Sequence, residues 1–202
     1  MFPTLNNTSP SATARGFTLI ELMIVIAVVA TLIALTAPSF KRMIDTQRLR
    51  GINAALVTDL QFARAEAASR NVRVFIEFDK TDPNLTCYVI FTGNRESCDC
   101  RLGPGSACTG SGTREIRTVQ VSRAQNITVG VPAGQTIEAV GFDPATGRFL
   151  VIPIDTVQEA AAPFRIEVKN PDIGGFVDEL EVTGRPIVCS PSGQISGVTA
   201  CL

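Results

Sequence analysis

The chain has 202 residues, with 45% apolar and 18% charged side chains and a formal net charge of −1. The near-neutral balance gives no general electrostatic case for binding nucleic acid, which normally needs a strongly basic face. The absence of histidine excludes Ser-His-Asp and Cys-His catalysis and most zinc sites.

The first forty residues combine a polar segment with a long apolar run. Residues 1–16 are polar and end in Gly16, which lies before the apolar run, whereas a general secretory signal is cleaved after its apolar core. From Phe17 to Phe40 one charged residue, Glu21, interrupts about two dozen residues before Lys41. As a helix, this run would be about 36 Å long, enough to cross a hydrocarbon core of about 30 Å. We therefore predict a membrane-spanning helix over 17–40.

The carboxylate of Glu21 needs an explanation within this helix. An acid at the centre of a spanning helix costs about 2.5–3.5 kcal/mol, which apolar neighbours offset at about 0.3–0.6 kcal/mol each. Near a helix start, it also favours the positive end of the helix dipole. The alternative is cleavage between Gly16 and Phe17, which would create an α-ammonium on Phe17. Glu21 lies one turn away, so it could pair with that ammonium or with the same group on a neighbouring subunit.

The segment Gly-Phe-Thr-Leu-Ile-Glu-Leu at 16–22 resembles the class III signal of type IV pilins and of type II secretion pseudopilins. The resemblance implies that a prepilin peptidase in the inner membrane cuts after Gly16 and N-methylates Phe17. It also implies that Glu21 meets a neighbour's N-terminus in a helical filament. Pro38, which recurs in the family, would kink the helix where it leaves the lipid.

The same resemblance divides the chain into a removed leader at 1–16, a transmembrane assembly helix at 17–40 and a periplasmic or extracellular domain at 41–202. The distribution of basic residues opposes this orientation. More of them follow the apolar run than precede it, and the positive-inside rule would therefore place the C-terminal domain in the cytoplasm. These residues are Arg15 before the run and Lys41, Arg42, Arg48 and Arg50 after it. The cysteines and the signal favour an exported domain.

An amphipathic helix is predicted from Lys41 to about Arg70. Its apolar stripe recurs at three- and four-residue steps, with charged residues elsewhere. The stripe comprises Leu49, Ile52, Leu56, Leu60, Ala63 and Ala67, and the charged residues are Arg48, Asp59, Arg64 and Glu66. We expect this stripe to pack under a sheet.

The remainder is typical of short antiparallel strands separated by turns rich in Asp, Asn, Pro and Gly. The predicted strands cover 72–78, 86–92, 114–122, 126–131, 136–142, 148–153, 164–169 and 178–189. One long N-terminal helix followed by strands indicates an α+β fold with the helix packed on antiparallel sheets, as in pilins.

The order of elements, a Gly-Phe-Asp-Pro-Ala-Thr-Gly-Arg turn at 141–148 and the segment 188–196 resemble the GspH/FimT group of the pilin family. This implies an initiating or tip-region subunit of a filament and not its bulk subunit. Members that take up DNA carry a C-terminal Gly-Arg-x-Arg. Here the aligned segment, 193–196, is uncharged, and Gly184-Arg185-Pro186-Ile187 offers one arginine. We therefore expect no DNA-binding site.

Six cysteines in polar, turn-rich surroundings predict disulfides and an oxidising compartment. They stand at Cys87, Cys98, Cys100, Cys108, Cys189 and Cys201. Cys189 and Cys201 would close a C-terminal loop, and Cys98 and Cys100 would pair with Cys108 and Cys87 in either order. The alternatives are free thiols or a metal site at Cys98, Cys100 and Cys108, whose spacing does not match a C-x2-C knuckle.

No pattern indicates an enzyme or a cofactor. The glycines at 103–105 lack the lysine of a phosphate loop, and Ser190 has no histidine to act as its base. The carboxylates occupy turns or alternate along strands, as on solvated faces: Asp79, Asp82, Asp143, Asp155, Glu167, Asp178, Glu179 and Glu181.

The function we expect is that of a minor prepilin-like subunit that initiates or caps a type IV pilus. The alternatives are a minor pseudopilin of type II secretion, a DNA-binding pilin for natural transformation, and a generic single-span membrane protein in which Glu21 is incidental. The expected partners are the prepilin peptidase, other minor and major pilins or pseudopilins, and an assembly platform in the bacterial inner membrane.

Overall fold

The computed structural model describes residues 16–79, 81–94, 97–134, 137, 139–152, 157–191 and 195–201, with only the helical backbone at 36–38. The predicted leader, apart from Gly16, lies outside these residues. The chain divides into two compact units, one ending at Arg42 and the other beginning at Met43.

A single helix, α1, runs from Leu19 to Arg70 and belongs to both units. Among the described residues, no single helix meets the length and hydropathy test for crossing a membrane. Two parts of α1, Leu19–Leu35 and Ser39–Arg70, meet that test when they are taken together, by length and composition. The side chain of Pro38 lies outside the described residues, so its kink stays a prediction.

The second part of α1 is amphipathic, as its sequence predicts. Leu49, Leu56 and Leu60 are fully buried, and Ala63 and Ala67 continue the same stripe towards the end of the helix. These side chains join the largest core cluster with residues from both sheets. The predicted stripe is thus confirmed, with two corrections. Asn53 takes the buried place beside the half-buried Ile52, and Asp59 is buried rather than solvated.

Two antiparallel sheets complete the second unit. The larger sheet has the order β3-β2-β1-β5-β6-β7, and the smaller has the order β10-β9-β8-β4. The strands are β1 Val74–Asp79, β2 Leu85–Thr92, β3 Arg114–Ser122, β4 Thr128–Gly130, β5 Ala139–Phe142, β6 Phe149–Val151, β7 Gln158–Glu159, β8 Phe164–Asn170, β9 Gly174–Leu180 and β10 Pro186–Cys189. The predicted fold, a long N-terminal helix on antiparallel sheets, is confirmed.

One predicted strand, 178–189, is wrong as a single element. The chain instead forms the hairpin of β9 and β10, because Glu181 donates its N–H to the carbonyl of Arg185 at 3.0 Å. Gly184 has a φ of 79°, a conformation that glycine adopts without strain, and its N–H donates to the Glu181 carbonyl at 2.7 Å. The hairpin brings β10 to the edge of the smaller sheet.

Strands β1 and β2, which are neighbours in the larger sheet, are covered on both faces. Side chains alternate along a strand, so Ile76 and Ile90 face the largest core cluster, which includes the buried stripe of α1. Phe75 and Phe91 face the opposite side of the sheet. On that opposite side, Phe75 and Phe91 pack with residues of the loop that contains Cys98–Cys108. This loop therefore closes a second, smaller core.

Candidate assembly site

The start of α1 presents an exposed carboxylate. Thr18 caps the helix, because its Oγ1 accepts a hydrogen bond from the Glu21 amide at 3.3 Å and its carbonyl accepts from the Leu22 amide at 3.2 Å. Thr-x-x-Glu is the pattern of a capping box. The Glu21 carboxylate, however, has no hydrogen bond or ion pair with any residue that the structure describes. It can therefore accept a cation from outside the chain.

Phe17, the residue predicted to carry the new N-terminus, is 81% exposed. The large apolar side chains that follow it are exposed by 47% to 77%: Leu19, Ile20, Leu22, Met23, Ile24, Val25, Ile26, Val28, Val29, Leu32, Ile33, Leu35 and Phe40. Soluble monomers rarely expose a contiguous apolar surface larger than a few hundred Å². This surface requires lipid or other apolar helices around it.

A buried polar cluster joins α1 to the larger sheet. The Tyr88 hydroxyl donates to Asp59 Oδ2 at 2.8 Å, and Arg117 Nη1 lies 2.6 Å from Asp59 Oδ1. Burial, together with the charge and hydrogen bond of Asp59, raises the pKa of Tyr88 well above its usual range. Asp59 lies three residues after Leu56 and four before Ala63, so its spacing places it near the buried stripe. The cluster stabilises the position of α1, with Asp59 and Tyr88 buried and the Arg117 side chain reaching the surface.

A second buried polar pair lies between α1 and β9. Asn53 Nδ2 donates to Asp178 Oδ1 at 3.3 Å, and Asp178 is fully buried. Burial raises the pKa of Asp178 to about 7, and the Asn53 hydrogen bond offsets part of that rise. The expectation that Asp178 belongs to a solvated face is therefore wrong, because its partner lies on the helix and not in its own strand.

Three disulfides use all six cysteines, which confirms the disulfide prediction and leaves no free thiol in the chain. They are Cys87–Cys100, Cys98–Cys108 and Cys189–Cys201. Among the described residues, no group of three or more His, Cys, Asp or Glu side chains has the geometry of a metal site.

Glu115 on β3 holds the loop that carries two of these disulfides. Its carboxylate accepts hydrogen bonds from the amides of Gly105 and Ala107, at 2.9 and 3.0 Å, and from the Thr118 hydroxyl at 2.7 Å. Partial burial alone would raise the pKa of Glu115, but these hydrogen bonds outweigh it and lower the pKa. The ionised carboxylate therefore fixes the loop over the second core.

Two family models match this sequence. The family described as Type II transport protein GspH matches residues 54–193, and the prokaryotic N-terminal methylation motif matches residues 12–37. The chain belongs to the GspH family. It is a type IV pilin-like protein of the GspH/FimT group, and the methylation motif includes Gly16, Phe17 and Glu21.

A solved structure is similar to this GspH-family chain, namely the type IV minor pilin FimU of Pseudomonas aeruginosa. The two share 17% sequence identity with a TM-score of 0.46, over 72% of this chain and 94% of that one. No curated protein matches the chain significantly by sequence.

Family membership has direct consequences for the site. GspH-family proteins are pilin-type structural subunits, and the methylation motif implies processing by a prepilin peptidase and association with other pilins. An N-terminal helix of this type indicates a protein anchored in the inner membrane.

The hydroxyl of Ser190 has a structural role. It donates a hydrogen bond to the Gly175 carbonyl at 3.0 Å and accepts one from the Ile195 amide at 3.2 Å.

Proposed function

We propose that this GspH-family chain is a minor prepilin-like subunit that helps to initiate or cap assembly of a type IV pilus. The observation that carries the proposal is the unpaired carboxylate of Glu21, among the described residues, in the first turn of an exposed apolar helix. A lipid environment accommodates the apolar side chains but offers this carboxylate no cation. A bundle of like helices offers it both apolar neighbours and an ammonium.

The proposed sequence of events begins with removal of residues 1–16 and N-methylation of Phe17. The mature chain then rests in the inner membrane through residues 17–40, as a single span, with 41–202 in the periplasm. On delivery by the assembly platform, Glu21 pairs with the α-ammonium of a neighbouring subunit. The pair forms in an apolar setting, where removing one partner costs about 3–5 kcal/mol.

The second candidate is a minor pseudopilin of type II secretion. It is favoured by the description of the matched family, Type II transport protein GspH. The two candidates share cleavage, methylation and helix assembly, and differ in the filament that receives the subunit.

Mass spectrometry of filaments sheared from the native cells tests the proposal. The expected result is this chain in the pilus fraction with an N-terminal peptide that starts at N-methylated Phe17. A mature, methylated chain confined to the inner membrane would favour the secretion pseudopilus. An intact Gly16–Phe17 bond in the assembled or membrane protein would contradict both candidates.

A further inference from the structure

The second unit contains a groove of about 520 Å³ between the end of α1, the turn at 143–148 and the hairpin turn at 181–185. Its lining includes the small apolar side chains of Ala65, Ala68, Pro144 and Ala145, together with the polar Gln61 and Thr146. Two guanidinium groups, those of Arg64 and Arg185, line the same space.

A hydrogen bond to the neighbouring turn positions Arg64 in this groove. Its Nε donates to the Gly147 carbonyl at 3.0 Å, and the residue is half-buried. A Cβ at Gly184 would lie 2.5 Å from the Gly147 carbonyl oxygen, so the two turns are in direct backbone contact beneath the guanidinium. Beyond the Nε bond, no hydrogen bond or carboxylate partner for Arg64 is found among the residues that the structure describes. Its terminal N–H groups are available to a ligand.

Arg185 follows Gly184 in the hairpin turn and is exposed. In the described part of the chain it has no ion-pair partner, whereas Arg70, Arg101, Arg117, Arg148 and Arg165 each have at least one. The sequence offers only one arginine near this position, but the fold supplies Arg64 from α1 as a second. Two unpaired arginines at one concave site favour an anion.

We infer that this groove binds an acidic side chain of another protein subunit, with Arg64 and Arg185 as the carboxylate receptor. A planar guanidinium fork matches a carboxylate through two parallel hydrogen bonds. The alanine and proline walls suit the apolar stem and neighbours of a peptide side chain. A nucleic-acid strand would need a basic track along its backbone, and the chain has a net charge of −1 with two arginines at a single point.

The test is an NMR titration of the full chain in detergent micelles, observing the Arg64 Nε–H resonance and the amides of Gly147 and Gly184. The probe is a blocked Ala-Glu-Ala tripeptide, with blocked Ala-Gln-Ala as its neutral counterpart. We expect saturable shifts with the Glu peptide only. Arg185→Gln should weaken binding roughly tenfold, since a hydrogen-bonded charge is lost from the receptor.

Arg114→Gln is the matched control, because Arg114 is also exposed and has no ion-pair partner among the described residues but lies on β3. It should leave the affinity unchanged. Arg185 is tested in preference to Arg64, because Arg64 also holds the 143–148 turn and its loss would disturb the fold.

Three results would overturn the inference. The first is the absence of saturable shifts with the Glu peptide. The second is equal weakening by Arg114→Gln and Arg185→Gln, which would indicate general charge attraction. The third is tighter binding of inorganic phosphate or a single-stranded oligonucleotide at the same resonances. None of these results depends on a filament, so they are separate from the test of the proposed function.

Discussion

The phenol of Tyr88 on β2 donates a hydrogen bond of 2.8 Å to Asp59 on α1, and both side chains are buried. Tyr88 is the one tyrosine of the chain. Tyr88→Phe preserves the ring but leaves a buried carboxylate oxygen without its donor. We expect a loss of about 1–3 kcal/mol in the free energy of unfolding, measured by urea denaturation in detergent. Combination with Asp59→Asn should cost less than the sum of the single changes, and strict additivity would contradict the coupling.

Asp178 should make stability depend on pH. Its pKa is about 7 in the folded protein against 3.8 for the ordinary group, so the folded state binds the proton more tightly. Stability therefore falls as pH rises from about 4 to about 7, and the full cost of the buried charge persists above pH 7.

Asp178→Asn removes this charge and retains an acceptor for Asn53. We expect the variant to gain stability over the parent at pH 8, by at most a few kcal/mol, and to match it near pH 4. Thermal unfolding across this range measures the difference, with Asp45→Asn on the helix as the control. An equal gain at both pH values would exclude titration of Asp178 as the cause.

Glu115→Gln should loosen the disulfide loop without unfolding the sheets. The amide nitrogen that replaces one oxygen cannot accept the hydrogen bond from Gly105 or Ala107. Hydrogen exchange at one of these amides should accelerate roughly tenfold. In the parent, the same bonds should persist at neutral pH and be lost as pH falls through the lowered pKa of Glu115. Glu181→Gln in the hairpin of β9 and β10 is the control. If that variant accelerated hydrogen exchange at Gly105 and Ala107 to a similar degree, Glu115 would not be the group that fixes the loop.

Glu21→Ala should reach its mature length but enter filaments poorly. The substitution retains the backbone amide that Thr18 caps, and removes the carboxylate together with one methylene group. Quantitative mass spectrometry of sheared filaments compares its incorporation with that of the parent. Thr18→Val is the matched control, since it loses the helix cap, worth about 1 kcal/mol, and keeps the carboxylate. Normal incorporation of Glu21→Ala would refute the assembly role.

Gly16→Leu should block processing, because the bulky side chain occupies the residue before the cleaved bond. The expected observation is a precursor band that does not shift on a gel, with intact mass as the confirming measurement. Ala14→Leu adds the same side chain within the leader and should be processed. Cleavage of Gly16→Leu at the parental rate would show that the glycine is not needed.

Periodicity and composition together predicted most of the fold. The stripe from Leu49 to Ala67 and the strand around Ile76 follow from spacing, because burial selects apolar residues at the period of each element. The strand around Ile90 follows from its β-branched and aromatic residues, because it is buried on both faces and does not alternate. The hairpin at 181–185 was missed because Gly184 lies between two strand-like segments of similar composition.

The buried polar groups could not be predicted in the same way. Charged residues are normally solvated unless they are paired, and pairing depends on residues that are distant in sequence. Asp59 and Arg117 are 58 positions apart, and Asn53 and Asp178 are 125 apart. The same limit applies to Arg64 and Arg185, which only the folded chain brings to one groove. The N-terminal motif at 16–22 could be recognised without knowledge of distant contacts, since its residues are consecutive.

Both faces of β1 and β2 are packed against a core, and this limits which positions of the protein can change during evolution. Because the side chains of Phe75, Ile76, Ile90 and Phe91 all lie in one core or the other, these strands offer few positions where a substitution is neutral. New recognition properties would therefore accumulate on the outer strands, the disulfide loop and the turns. Sequence drift among related subunits should be slowest in β1 and β2 and fastest at exposed positions of the outer strands and turns.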